Sequence, residues 1–75
     1  MKLDKERQGK VNTILCEIEE IMVELKPMDM EKELIISCIA NILCQLDTDI
    51  AIEVMEGLGE PGEQQAMAIK VNYRY

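Results

Sequence analysis

Thirteen consecutive residues, Leu34 to Leu46, carry no charge in a chain where 31% of residues are Asp, Glu, Lys or Arg. As a helix this run spans about 20 Å, enough for a core element and too short to cross a bilayer. At 100° per residue, Ile35, Ile36, Ile39, Ile42, Leu43 and Leu46 fall within an arc of roughly 120°, with Ala40 at its edge. The reverse side holds Leu34, Ser37, Cys38, Asn41, Cys44 and Gln45. A helix back that faces only water ordinarily carries Lys and Glu, so this one is expected to pack against something. The reading is a central helix whose broad side makes the core and whose back forms an oligomer interface. Asn41 has two readings of equal weight. It is either a partly exposed polar residue or a group near a two-fold axis that hydrogen-bonds its symmetry mate and sets register.

Upstream, Val11, Ile14, Leu15, Ile18, Ile21, Met22 and Leu25 recur at the i, i+3, i+4, i+7 spacing of an amphipathic helix. Glu17, Glu20 and Glu24 lie opposite, and Cys16 with Val23 makes a small second apolar strip. Gly9 weakens any helix that begins before it. Pro27 ends the helix, because the residue before a proline is biased out of the helical region. The turn Pro27 to Met30 is short, so the second helix should return antiparallel to the first, with Asp29 as its cap.

Downstream, Asp47-Thr48-Asp49 is a break in which Thr48 and Asp49 offer capping oxygens. A third helix is expected to about Glu56, with Ile50, Ala51, Val54 and Met55 inward and Glu53 and Glu56 outward. Gly57 and Gly59 supply C-terminal caps, and Leu58 packs back onto the core. Residues 59–65 read as a linker by composition. In the last ten residues Met67, Ile69, Val71, Tyr73 and Tyr75 alternate with other residues, the pattern of a strand that pairs outside its own helical unit. Helix continuing from Glu63 is the competing reading. The expected fold class is therefore all-α: a three-helix unit over residues 1–58, a linker, and an extended or β-strand tail over 66–75, assembled as an intermolecular helical bundle.

Size and charge bound the function. A chain of 75 residues buries only about 60% of its unfolded surface, so its stability calls for reinforcement. Three cysteines with no Cys-x-x-Cys pair argue against disulfides and fit buried or half-buried thiols in a reducing compartment. Oligomerisation is the reinforcement expected. No apolar run follows Met1 to Arg7, so neither a signal peptide nor a membrane anchor is expected, and the location read is cytoplasmic. A net charge of −7 opposes binding to phosphate backbones. Nor do Asp49, Glu53 and Glu56 suit the reading helix of a helix-turn-helix.

No constellation of residues points to catalysis. The chain has no histidine and no phosphate-cradling loop, so no enzyme activity and no cofactor are expected. Asp47-x-Asp49 resembles the start of a calcium loop. The fifth, sixth and twelfth positions, however, are Ala51, Ile52 and Leu58 where an oxygen ligand, glycine and glutamate are required. The aspartates are read as caps, and no metal site is expected.

These observations favour a small homodimeric protein–protein interaction module, a regulator or inhibitor of phage or bacterial type. Its outer face, built from Glu17, Glu20, Glu24, Glu53 and Glu56, would engage a basic surface on a target protein. Met28 and Met30, in a turn, suit adaptable partner contacts. One alternative is an oligomer that holds an anionic small molecule among Ser37, Asn41, Gln45, Lys70, Asn72 and Arg74. The other is a structural subunit whose tail strand joins a neighbour.

Overall fold

The computed structural model describes residues 4–73, and every element in that range is a helix. They are α1 (Lys5–Leu25), α2 (Asp29–Leu46), α3 (Thr48–Gly57) and α4 (Glu60–Tyr73).

α1 begins earlier than Gly9 suggests, because Asp4 caps it: the Arg7 backbone N–H donates to Asp4 Oδ1 at 2.8 Å. Gly9 lies inside the helix, where the Thr13 hydroxyl donates to its carbonyl. The helix ends at Lys26, which takes the left-handed conformation at φ 47° and returns its N–H to Met22 O. Pro27 follows, as the sequence indicates. α2 starts one residue earlier than expected. Met28 stands at its N-cap, Asp29 is already helical, and the Met28 N–H donates to the Glu31 carboxylate at 2.9 Å.

The α2–α3 junction differs in the same way. Thr48 and Asp49 are in α3, and the cap is Asp47, which accepts from the N–H groups of both Asp49 and Ile50. α3 runs one residue past the expected end: Gly57 is helical and not a cap, Leu58 is the C-cap and packs against the core as expected, and Gly59 follows at φ 89°.

Two expectations are overturned beyond this point. Residues 60–65 are the first turns of α4, and the tail is helical through Tyr73 where a strand was expected. The helix wins because its buried face has a different period: Gly62, Ala66 and Ile69 are buried, while Met67 and Val71 are exposed. Alternating side chains satisfy no backbone group unless another strand is present, whereas a helix satisfies its own. Of the residues assigned to pairing, Met67 and Val71 therefore share the exposed side of a helix while Ile69 is on its buried side. Tyr73 is its last residue, and Tyr75 is outside the described range.

The centre of the molecule is α3, not α2. Five of its ten residues, Ile50, Ala51, Ile52, Val54 and Met55, are buried, and it is packed against all three other helices. α4 lies against α3 so closely that a Cβ on Gly62 would collide with the Met55 carbonyl oxygen. α1 and α2 flank α3, each giving it two fully buried residues, Val11 and Ile18 from one, Ile36 and Ala40 from the other. The two long helices do run back antiparallel, but α3 wedges between them on one side and their backbones stay apart.

Candidate interaction surface

Keeping α1 and α2 apart leaves a groove between them that reaches Ile50 of α3. Between the N-terminal half of α1 and the C-terminal end of α2 the groove measures about 710 Å³ and is lined by Ile14 of α1, Leu43 and Leu46 of α2 and Ile50 of α3, together with Glu6, Lys10, Thr13 and Asp47. A charged clasp holds that end. The Arg7 Nη2 donates to both Asp47 oxygens, at 2.6 and 2.7 Å, and lies 3.6 Å from Asp49. The Asp47 hydrogen bonds raise the Arg7 pKa further above its ordinary value against a smaller effect of burial. Burial alone would raise the Asp47 pKa. The Ile50 N–H, the Arg7 guanidinium and the Asp49 N–H together outweigh it and hold the carboxyl below the ordinary carboxylate range.

Of the six residues assigned to the oligomer interface, Leu34, Cys38, Asn41 and Gln45 are exposed in one strip along α2. Ser37 and Cys44 are half-buried, turned toward the packed side, and burial raises the Cys44 thiol pKa. The thiols do not all sit as expected, since Cys16 and Cys38 are exposed. What the sequence did not reveal is that the core is rotated around α2. Helix packing is centred on Ile36 and Ala40, so one flank of the predicted apolar arc is left out. Ile42 is 59% exposed and Leu46 77%. The exposed side of α2 from Leu34 to Leu46 is therefore uncharged throughout and carries three large aliphatic side chains.

The five carboxylates assigned to partner binding are not gathered into one face. Glu17, Glu20 and Glu24 are exposed along α1. Glu19, Glu20 and Glu24 surround Cys16 and Val23 in a shallow depression built from α1 alone. Glu53 is half-buried on α3, and Glu56 accepts from Lys70 Nζ of α4 at 2.7 Å. That pairing also draws Lys70 away from the anion-binding set proposed with Ser37, Asn41, Gln45 and Asn72; Arg74 lies outside the described residues. At the α1–α2 turn, Met28, Met30 and Leu34 are exposed around a second depression that includes Asp29 and Glu31. Among the described residues no three His, Cys, Asp or Glu side chains are grouped to hold a metal ion, and no helix is long and apolar enough to cross a membrane.

Comparisons with protein-family models, with curated proteins and with solved structures return no match to this chain.

Proposed function

We propose that this chain is a protein–protein interaction module that works as a homodimer and regulates a partner protein. The observation that carries this reading is an imbalance in where its apolar side chains lie. Eleven are buried, and three of those are alanine, which leaves eight larger ones; ten large apolar side chains are exposed among the described residues. A chain this small is marginal with such a core, and it gains stability by covering part of what it exposes. The uncharged side of α2 is the surface suited to that. With one copy covering another there, the glutamates of α1 remain outward and available to a basic surface on a target protein.

Loss of the tail strand weakens the structural-subunit alternative, because that reading depended on strand addition. The test of the favoured reading is the molar mass by light scattering through a dilution series. A dimer that dissociates on dilution supports it. A monomer at every concentration, with full helical circular dichroism, overturns it.

A further inference from the structure

The α1–α2 hairpin outruns the core that holds it. α1 is about 31 Å long, and α3, the main element packed against it, about 15 Å. No residue from 19 to 35 is buried, so the Pro27 end of the hairpin supplies no fully buried side chain. Yet Ile21, Val23, Leu25, Met28, Met30 and Leu34, six of the ten large apolar side chains exposed among the described residues, are gathered there. We infer that this end docks a basic amphipathic helix of a partner protein; the inference rests on the partner-binding half of the reading above and names its surface.

Two depressions mark this end. Met28, Met30 and Leu34 line one of about 740 Å³ together with Asp29 and Glu31, where α2 begins. Cys16 and Val23 line the other, of about 560 Å³, with Glu19, Glu20 and Glu24 of α1. Two of the three apolar side chains in the larger depression are methionines. Unbranched and polarizable, they re-pack around whatever side chains a partner brings, which suits a surface that receives the apolar face of a helix. The core needs neither of them: Met28 is 73% exposed and Met30 79%.

Charge selects the occupant. Residues 19–34 hold six carboxylates against Lys26 and Lys32, a local charge of −4. The ion pairs among the described residues lie elsewhere, at Arg7 with Asp47 and Asp49 and at Lys70 with Glu56, so these carboxylates are not neutralised. Unneutralised carboxylates bordering an apolar surface complement Lys and Arg that flank large apolar side chains, and a basic amphipathic helix presents that combination. A second copy pairing end to end would set −4 against −4, and an anionic bilayer surface is repelled in the same way.

The probe is a labelled peptide of about 18 residues made of Leu and Lys, with Leu at the i, i+3, i+4, i+7 spacing, followed by fluorescence anisotropy. A peptide of the same composition with its Leu positions scrambled controls for charge alone. The amphipathic peptide should bind at least about tenfold more tightly than the scrambled one, and the double change Met28→Ser, Met30→Ser should weaken it at least about tenfold. Both side chains are exposed and serine serves well as the α2 N-cap, so the helices should persist, which circular dichroism checks. The matched change Ile42→Ser, Leu46→Ser, toward the other end of α2, should alter binding less than about twofold. Equal binding of the two peptides, or none of either, overturns the inference. So does binding unmoved by the Met28 and Met30 changes; if Glu17→Gln then weakens it, a basic partner is retained for α1 and only the hairpin end is lost. Light scattering on the same samples keeps the two readings apart. A monomer that binds the peptide through Met28 and Met30 overturns the homodimer and leaves this inference standing. A mass that falls only in the Met28 and Met30 variant, with peptide binding intact, makes this end a contact between copies and overturns it.

Discussion

Asp47 does three things with one carboxylate. It caps α3 through the N–H groups of Asp49 and Ile50, it accepts both hydrogen bonds of the Arg7 clasp, and it closes the end of the groove. Replacing it with alanine should lower stability by about 1 kcal/mol through the cap alone, as read from a urea denaturation curve. Its pKa adds a pH dependence of definite sign. The folded value lies below the unfolded value of about 3.9, so the carboxylate's contribution is fully present above that pH. As pH falls through the folded pKa, that contribution disappears. Asp47→Asn can still cap the helix, so it should be only modestly less stable at neutral pH and should lose less stability than wild type on acidification. Equal losses on acidification in both proteins would remove Asp47 from the account. The sequence marked this junction correctly as a break but gave the cap to Thr48 and Asp49. Any of three adjacent oxygens can cap, and only the distant Arg7 makes Asp47 the better choice.

Elements were legible where their hydrophobic period reports burial directly. α1 shows both sides of this: the stripe from Val11 to Leu25 lies within the helix observed and its Val11 and Ile18 are buried, but the helix starts at Lys5 and the far end of the stripe, Ile21 and Leu25, is exposed. α3 was read with the right inward residues, Ile50, Ala51, Val54 and Met55, but its central place was not legible, because that depends on how the other three helices pack around it and not on its own period. α4 was misread because its packing face is Gly62, Ala66 and Ile69, and small residues signal close approach without looking apolar. That approach can be measured. Gly62→Ala sets a methyl against the Met55 carbonyl, a backbone atom that moves only if α4 moves. It should cost about 3 kcal/mol, at the upper end of ordinary overpacking. Gly57→Ala makes the informative contrast. Its Cβ would meet only the ends of the Leu15 side chain, at 2.9 and 3.1 Å, which can turn aside. Alanine also favours the helix by up to about 1 kcal/mol, so this variant should be close to neutral. Chemical denaturation of the two distinguishes a backbone contact from a side-chain one. Similar losses in both would refute the close α3–α4 packing.

For the whole molecule, the decisive property is the combination of high negative charge with an uncharged, partly aliphatic exposed side of α2, and it gives salt dependence a diagnostic sign. Two copies at −7 each repel across the solvent, and this repulsion opposes a contact made of uncharged side chains. Raising ionic strength shortens the screening length from about 10 Å at 0.1 M to about 3 Å at 1 M, which removes the repulsion and leaves the apolar contact intact. Self-association should therefore tighten as sodium chloride is added, and the thermal midpoint at fixed protein concentration should rise with it. Docking of the α1 glutamates on a basic target must do the opposite, because screening removes the attraction that drives it. Sedimentation equilibrium across a salt series separates the two. Dimerisation that weakens with salt would mean that ion pairs hold the copies together, with the carboxylates of α1 at the contact. Dimerisation that strengthens assigns an uncharged face, such as the exposed side of α2, to the second copy and leaves those carboxylates for a partner.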